Sequence, residues 1–331
     1  MEKVQKKIVG IGSALVDILV RMKDDHLLDV FHLPKGSMTL IDAELSRKMM
    51  ELTSKEKRSL ETGGSAANTI RGIAQLGGET GFIGKIADDE IGHFFKSEFE
   101  KVNIRAHLFF SQLPTGQATT LISTDSERTF GTYLGAASEL NPEDFSVDLF
   151  KDYDYLHVEG YLIFNHRLIE CAMKTARKAG LKISLDLASF NVVEENLDFL
   201  NYLVENYVDI VFANEEEARA FTQKEPQQAV EAIANKCTIA VVKMGEKGSL
   251  IRSEKQTITV EAIKATPVDT TGAGDVYASG FLYGLANSFS LNHCGELGSL
   301  LAGSVIQHTG AKISDEFWPV IINRVNELHG C

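Results

Sequence analysis

The segment DTTGAGD at residues 269–275, followed by a run of small and apolar residues, combines groups that suit phosphoryl transfer. Gly272, Ala273 and Gly274 leave the amides of a helix N-terminus unobstructed, and such an end binds anions through unpaired N–H groups and the helix dipole. Asp275 lies in the first turn of the predicted helix, where it could orient and deprotonate an alcohol. Because a helix N-terminus lowers the pKa of a carboxyl group, we expect Asp275 to be a weak base.

Other short motifs contain residues that could bind ligands. GGSAAN at residues 63–68 places two glycines before a predicted helix, where the backbone can approach a ligand closely. NEEE at residues 214–217 begins with a good N-cap, and KMGEKG at residues 243–248 follows a predicted buried strand. Asp17 is predicted to end the first strand, and open α/β sheets bind ligands at the carboxyl ends of their strands. Taken singly, each motif is also consistent with a turn, a cap or a surface charge.

Taken together, these motifs resemble the signatures of the ribokinase/PfkB family of carbohydrate and nucleoside kinases. DTTGAGD resembles the C-terminal signature, and GGSAAN with GKIADDEIG at residues 84–92 resembles the N-terminal signature. Residues 214–217 match the N-x-x-E of the family. The matches run in family order from residue 8 to about residue 312, which is nearly the whole chain.

The resemblance implies an ATP- and Mg²⁺-dependent kinase, and it implies a role for each matching residue. Asp275 would be the catalytic base, and Gly272, Ala273 and Gly274 would hold the charge of the transferred phosphoryl group. The residues implied to bind the sugar are Asp17, Gly63, Gly64 and Asn68. The residues implied to contact the nucleotide are Asn214, Lys243, Gly245 and Gly248.

The resemblance also implies sites for cations. Glu217 would organise Mg²⁺, acting through a water because Mg²⁺ keeps several waters in its first shell. Asp269 and Thr271 resemble the start of a loop that binds a monovalent cation such as K⁺. Lys247 is interpreted as a plain surface charge.

The acceptor is expected to be a nucleoside, phosphorylated on its primary (5′) hydroxyl, with adenosine as the first candidate. The long segment between Asp17 and Gly63 and the YVDIVFANE sequence at residues 207–215 resemble the adenosine-kinase branch of the family. A ribokinase- or fructokinase-like sugar kinase is the alternative. A catalytically silent sensor and a nucleotide-dependent oxidoreductase are the rivals from other classes. The candidate aromatics for stacking on a base are Tyr161, Phe164, Phe130 and Tyr133.

The elements that must position these residues indicate an α/β fold, with a doubly wound, mostly parallel sheet and a small β-rich lid. Strands alternate with helices from residue 153 onward, which is the pattern of βαβ units. Residues 106–133 instead show a period of two around a predicted turn at residues 125–127, as in a β-hairpin. We therefore assign the core to residues 1–17, 61–105 and 138–331, and the lid to residues 18–60 and 106–137.

Composition and charge exclude several other classes of protein. The 331 residues include 33 Lys and Arg against 46 Asp and Glu, so the net charge of −13 argues against binding to nucleic acid or anionic membranes. The four cysteines, Cys331 among them, lack C-x-x-C spacing and predict neither a zinc site nor a disulfide framework. The G-x-G sequence at residues 10–12 does not complete a dinucleotide fingerprint, and Gly84-Lys85 does not complete a Walker loop. We expect a cytoplasmic protein, either a monomer or a homodimer.

Overall fold

The computed structural model describes residues 5–125 and 127–329, which form two β-sheets and the helices around them. Ser126 and Cys331 lie outside the described residues. The strands are β1 (Ile8–Ile11), β2 (Leu15–Arg21), β3 (Met38–Leu40), β4 (Arg58–Gly63), β5 (Thr80–Ala87), β6 (Arg105–Ser111), β7 (Gly116–Ile122), β8 (Arg128–Tyr133), β9 (Tyr155–Val158), β10 (Lys182–Asp186), β11 (Ile210–Asn214), β12 (Ile239–Lys243), β13 (Ser249–Ser253) and β14 (Gln256–Val260). The α-helices are α1 (His26–Phe31), α2 (Ala43–Leu52), α3 (Ser65–Gln75), α4 (Glu90–Lys101), α5 (Val147–Phe150), α6 (His166–Lys178), α7 (Phe190–Glu195), α8 (Leu197–Tyr207), α9 (Glu215–Thr222), α10 (Pro226–Ala234), α11 (Ala273–Ala286), α12 (Leu291–Val305) and α13 (Trp318–His329).

The large sheet confirms the predicted doubly wound α/β fold. In the described part of the chain it has nine strands in the order β14-β13-β12-β11-β10-β9-β1-β5-β6. All neighbours from β12 to β6 are parallel, and β13 and β14 are added antiparallel at one edge. Helices α6, α8, α9 and α10 pack on one face, and α3, α11, α12 and α13 pack on the other. Because both faces are covered, the central strands are short apolar runs with almost no exposed residue.

The carboxyl ends of neighbouring parallel strands form one edge of the large sheet and bring polar residues there. This edge runs across the strand ends and is distinct from the outer strands β13 and β14. Glu159 follows β9 directly, Asp186 ends β10, Asn214 ends β11 and Lys243 ends β12. Strand order reverses next to β1, whose neighbours are β9 and β5. Ligands of open α/β sheets bind at this edge near such a reversal, so this is where a site is expected.

The small sheet has five strands in the described residues, in the order β3-β8-β7-β2-β4. The predicted hairpin is confirmed, since β7 and β8 pair antiparallel. One face packs on α1 and α2 through a separate apolar cluster that includes Ile18, Phe31 and Met49. Asp42 caps α2, because its side chain accepts a hydrogen bond from the Leu45 amide at 2.8 Å. The other face of this sheet carries Asp17.

The sheet boundaries differ from the sequence-based division at three places. Strand β6 lies in the large sheet, because it pairs in parallel with β5, so the small sheet resumes at β7 and not at residue 106. Residues 15–17 and 61–63 lie on β2 and β4, which are strands of the small sheet. Asp17 is therefore the third residue of β2 and does not end the first strand, because the chain turns at residues 12–14 and starts a new strand.

No helix within residues 5–125 and 127–329 has the length and the apolar character that crossing a membrane would require.

Candidate active site

The DTTGAGD segment forms a tight turn into α11. Gly272 is the N-cap residue and has a left-handed conformation, with φ of 74°. A Cβ at this position would overlap Ala311 as well as straining the backbone, so the turn requires glycine. The amide of Ala273 donates to the Thr270 carbonyl at 3.2 Å, which closes the turn.

The amides of this turn that are free to bind an anion are those of Gly274 and Asp275, the second and third residues of α11. Within the described residues neither amide has an acceptor, whereas the next one, Val276, donates to the Gly272 carbonyl at 3.0 Å. The predicted contribution of Ala273 is not observed, because its amide is used in the turn itself. Unpaired amides at a helix N-terminus attract an anion.

Two side chains of α3 hold the Asp275 carboxylate. Ser65 Oγ donates to Oδ1 at 2.8 Å, and Asn68 Nδ2 donates to Oδ2 at 3.0 Å. Thr69 Oγ1 donates to the Asp275 carbonyl at 3.1 Å, and the Ser279 hydroxyl donates to the Thr69 carbonyl at 2.9 Å. The acid is thus oriented by a helix that belongs to a different motif.

The pKa of Asp275 corrects the expectation of a weak base. Burial, together with the charge of Asp186, raises this pKa to about 7, and the hydrogen bonds from Asn68 and Ser65 and the charge of Lys243 only partly oppose the rise. Desolvation of the carboxylate therefore outweighs the dipole of α11. A carboxyl group with a pKa near neutrality is well suited to act as a general base.

Asn68, which is implied from the sequence to bind the sugar, also forms a hydrogen bond with Asp275. Its amide nitrogen is used by Asp275, but its Oδ1 is buried without a hydrogen-bond partner. A buried carbonyl oxygen gains from a donor, and a hydroxyl of an acceptor could supply one.

Asp17 lies beside the Gly63-Gly64 turn that leads into α3. A Cβ at Gly63 would overlap the Asp17 carboxylate, and Gly64 has φ of 96°. Asp17 is directly opposite Glu61 in the β2–β4 pairing. Burial and then the charge of Glu61 raise the pKa of Asp17 to about 7. The structure therefore brings Asp17, Gly63, Gly64, and through Ser65 also Asp275, into one neighbourhood.

Asp269 and Thr271 lie against Arg128 of the small sheet. The Asp269 Oδ2 atom forms an ion pair with Arg128 Nη1 at 2.8 Å and accepts from the Gly310 amide at 2.6 Å. Its Oδ1 accepts from the Thr271 amide at 3.1 Å and hydroxyl at 2.8 Å. Both carboxylate oxygens are engaged by protein donors, and the guanidinium already neutralises the charge that a monovalent cation would neutralise.

A cavity of about 370 Å³ borders the turn that leads into α11. It falls within the size range of small-molecule sites, and small or apolar side chains dominate its wall. Lys243, Gly245, Gly248 and Gly274 line it together with residues that include Ala262, Pro267, Thr270 and Tyr277. The predicted nucleotide-binding residues after β12 thus share a cavity with the anion-binding turn.

Asn214 and Glu217 form a reciprocal cap at the start of α9. The Asn214 amide donates to Glu217 Oε2 at 2.8 Å, and the Glu217 amide donates to Asn214 Oδ1 at 2.8 Å. Burial, followed by the charge of Asp186, raises the pKa of Glu217 to about 7. Such a carboxylate gains from a nearby cation, and its engaged oxygens suit Mg²⁺ held through water. Within residues 5–125 and 127–329, no cluster of three or more His, Cys, Asp or Glu side chains could hold a metal alone.

Comparison with known proteins now adds to the geometry. The model of the pfkB family carbohydrate kinases matches residues 36–318. This chain belongs to the pfkB family.

Relatives of this PfkB kinase include a 5-dehydro-2-deoxygluconokinase of Geobacillus thermodenitrificans, 30% identical over 282 residues, which are 80% of this chain and 82% of that protein. A probable sugar kinase of Rhizobium etli has a similar structure, with a TM-score of 0.85 and 34% identity over 96% of this chain and 98% of the other. The adenosine kinase of Sinorhizobium meliloti matches with a TM-score of 0.84, also 34% identical over 96% and 98% of the two chains. The chain is therefore a phosphotransferase, and it belongs to the group of PfkB enzymes that comprises sugar kinases and nucleoside kinases.

The candidate aromatic residues of this PfkB kinase lie in different environments. Phe130 shares the Asp17 face of the small sheet, whereas Tyr133 lines a cavity on the α2 face. Tyr161 packs against the large core, and Phe164 is exposed. Lys247 is exposed and only 3.5 Å from Glu215, as a surface charge would be.

Several residues of the site were not singled out from the sequence. Ser65 and Arg128 lie in or near recognised motifs, but their partners are far away in the chain. Asp186 and Glu159 could have been found from one signal, since each is a polar residue at the carboxyl end of a parallel strand. Glu61 could have been found only from the register of β2 and β4.

Proposed function

We propose that this PfkB kinase is an ATP-dependent phosphotransferase that phosphorylates the primary 5′-hydroxyl of a nucleoside, with adenosine as the first candidate. The observation that carries the proposal is the juxtaposition at α11 of two unpaired amides with the Asp275 carboxylate, whose pKa is about 7. The cavity that includes Lys243, Gly245 and Gly248 would hold ATP, and Asp17, Gly63, Gly64 and Asn68 would hold the sugar.

In this reaction Asp275 accepts the proton of the acceptor hydroxyl while the hydroxyl oxygen attacks the γ-phosphorus. The bond from this phosphorus to the β-phosphate oxygen breaks, and ADP leaves with that electron pair. The amides of Gly274 and Asp275 stabilise the charge on the transferred phosphoryl group. Glu217, with Asn214 beside it, would hold Mg²⁺ through water, and the bound ion would neutralise phosphate charge.

The charges around Asp17 favour a neutral acceptor. Arg71 and Arg128 are the nearby cations, and each is opposed by a carboxylate, Glu61 and Asp269 respectively. The carboxylates of Asp17 and Asp275 add negative charge, which would repel an anionic acceptor but can accept hydrogen bonds from hydroxyl groups.

An apolar strip beside Asp17 favours a nucleoside over a free sugar. Strand register aligns Leu40, Thr132, Ala118, Asp17 and Glu61 in one row across the small sheet. The distance from Asp17 to Leu40 is three strand spacings, about 14 Å, which exceeds what one sugar ring needs. Met38 and Phe130 pair in the next row on the same face, and Met38 and Leu40 are 52% and 57% exposed. A nucleoside base that lies over Ala118 and Thr132 would also cover the exposed apolar side chains of Met38 and Leu40.

A sugar kinase remains the second candidate. It is supported by the sugar kinases among the relatives, and by the Nη2 atoms of Arg71 and Arg128, which are buried without partners and could bind an oxygen-rich sugar.

Other parts of the proposal concern ions, motion and setting. The small sheet, with residues 18–60 and most of 106–137, would act as a lid that excludes water from the reaction. K⁺ at Asp269 and Thr271 has less support than Mg²⁺, because Arg128 occupies that carboxylate. We further propose a cytoplasmic monomer or homodimer that binds neither nucleic acid nor membrane, in keeping with the charge of −13.

The test is a coupled ADP-release assay with MgATP over a panel of nucleosides, ribose, fructose and sugar acids. We expect the highest kcat/KM with a purine nucleoside and loss of turnover in Asp275→Asn. Faster turnover of a free sugar would replace the nucleoside by the second candidate. Binding of nucleosides without any ADP release would support a silent sensor, and a rise in Tm with NAD⁺ would support an oxidoreductase.

A further inference from the structure

Asp186 is a buried acid at the active-site edge to which the sequence motifs assign no role. It ends β10, two strands away from Lys243 at the end of β12, with β11 between them. Asp186 Oδ2 lies 3.0 Å from Lys243 Nζ, and the two side chains are only 9% and 15% exposed. The pair therefore joins the ends of β10 and β12 across β11, and Lys243 lines the cavity.

The backbone after Asp186 holds this carboxylate in one orientation. The Ala188 amide donates to Asp186 Oδ1 at 2.9 Å, so both oxygens of the acid are used. Ala188 has φ of 68°, a left-handed conformation that a residue with a Cβ rarely adopts. Backbone strain of this kind persists where the surroundings impose it, and it is concentrated at functional sites.

The ammonium held by Asp186 lies directly against the turn that leads into α11. Lys243 Nζ is 2.9 Å from the position that a Cβ at Gly274 would take. Gly274 is also one of the two residues of this turn whose amide has no acceptor within the described residues. The charge and the amide therefore lie on the same turn and line the same cavity.

Both members of the pair are charged despite their burial. Burial alone would lower the pKa of Lys243, but the carboxylates of Asp186 and Glu217 raise it above its ordinary value. Burial alone would raise the pKa of Asp186, but the Lys243 ammonium and the Ala188 amide hold it below its ordinary value. Without Asp186, a buried lysine would lose its main counter-charge and its fixed position.

We propose, on the basis of the proposed function, that Asp186 is a positioning residue that holds the Lys243 ammonium against the Gly274 turn, so that Lys243 binds the γ-phosphoryl group of ATP. Lys243 then distinguishes ATP from ADP and stabilises the charge on the phosphoryl group during transfer.

The test compares Asp186→Asn, Lys243→Met and the double variant with a matched control, Asp144→Asn. Asp144 forms an equally buried ion pair with Lys85 at 3.1 Å, with side chains 15% and 10% exposed, and touches no proposed site residue. Calorimetry measures the affinity for ADP and for a non-hydrolysable ATP analogue without any acceptor, and the ADP-release assay measures kcat. Asp186→Glu retains the charge and serves as a second variant if Asp186→Asn does not fold.

We expect Asp186→Asn and Lys243→Met each to lower the affinity for the ATP analogue about tenfold and to change the affinity for ADP by less than about twofold. Each variant should also lower kcat about 10²-fold. Because one residue acts through the other, the double variant should lose no more than Lys243→Met alone. Asp144→Asn should lower Tm without changing either affinity, and Asp186→Glu should recover part of the preference for the analogue.

The inference is overturned if Asp186→Asn has the same affinities as Asp144→Asn, or if the affinities for ADP and for the analogue fall by the same factor. It is also overturned if the loss of analogue affinity in the double variant equals the sum of the losses in the two single variants. These binding results do not depend on the acceptor, so they differ from failure of the proposed function, in which the wild type releases no ADP with any acceptor.

Discussion

The chemistry of Asp275 depends on its surroundings more than on its place at a helix N-terminus. Burial raises its pKa to about 7, although Ser65 and Asn68 donate hydrogen bonds to the charged form. The carboxylate is therefore fixed in orientation and has a pKa near 7. Both properties suit an efficient general base.

Asp275→Asn tests this role directly. The amide occupies nearly the same volume but cannot accept the proton, so kcat should fall about 10²–10⁴-fold. The affinity for ATP should change little, because the Gly274 amide and the cavity are preserved. Steady-state kinetics and calorimetry measure the two quantities, and a variant that keeps more than about half of the activity would exclude Asp275 as the base.

The pH dependence of the rate follows from the same group. Asp275 must be deprotonated to act, so kcat should rise with pH up to about 7 and then level off. In the free enzyme Asp17 titrates in the same range, since its pKa is also about 7, and in the proposed reaction its charged form would accept hydrogen bonds from the hydroxyl groups of the acceptor. The acid limb of log kcat/KM should therefore approach a slope of about two, against about one for log kcat. A profile that is flat from about pH 5 to pH 8 would contradict both assignments.

Asp17→Asn separates binding from stability. The pKa of Asp17 is raised from 3.8 to about 7 on folding, so the folded state binds the extra proton and the free energy of unfolding falls as pH rises through this window. Removing the charge should increase Tm by about 2–4 °C at pH 8 and leave it unchanged near pH 4. KM for the acceptor should rise, with a smaller effect on kcat. Thermal scans at the two pH values test the first effect, and an unchanged KM would contradict the second.

At the scale of elements, the helices α3 and α11 must lie unusually close for the site to form. A Cβ at Gly72 would overlap the Ser279 hydroxyl, so glycine permits the approach that lets Ser65 and Asn68 reach Asp275. This contact joins two motifs that are about 200 residues apart in the chain.

Gly72→Ala should separate these helices. We expect a loss of stability of about 1–3 kcal/mol and a fall in kcat, because small displacements of catalytic groups are costly. Asp42→Ala is the matched control, because loss of the α2 cap should lower the free energy of unfolding by about 1 kcal/mol. Helix α2 packs on the face of the small sheet that is opposite Asp17. Chemical denaturation with kinetics distinguishes the two, and equal kcat in both variants would show that helix separation is irrelevant to the site.

Sequence patterns predicted most elements of this fold because the signals are local. The buried strands are continuous apolar runs, and Asp42 precedes its helix at the cap position. The assignment of β6 and the position of Asp17 within β2 depend on which strands pair, and no periodicity within one strand specifies its partner. The raised pKa of Asp275 was missed for the same reason, since burial arises from distant segments.

At the scale of the whole molecule, Arg128 connects the small sheet to the turn that precedes α11. Its guanidinium leaves β8 of the small sheet and binds Asp269 in the turn that precedes α11. The ion pair is nine-tenths buried on both sides, so salt should screen it little.

This ion pair predicts how the enzyme responds to monovalent cations. With Arg128 on Asp269, exchange of K⁺ for Na⁺ or choline at constant ionic strength should change kcat by less than about twofold. The ADP-release assay measures this, with Mg²⁺ held constant. A strong and selective activation by K⁺ would show that Arg128 leaves Asp269 during turnover.

The row from Leu40 to Glu61 also bears on how such an enzyme could acquire a new acceptor. Those five positions are on the five strands of the small sheet, and none of the residues that line the proposed ATP cavity lies on that sheet. In the proposed reaction the small sheet would therefore recognise the base of the acceptor, whereas the phosphoryl donor would be held at the large sheet and α11. Laboratory evolution restricted to Leu40, Ala118 and Thr132 could redirect the enzyme to other alcohols while leaving its phosphorylation chemistry intact.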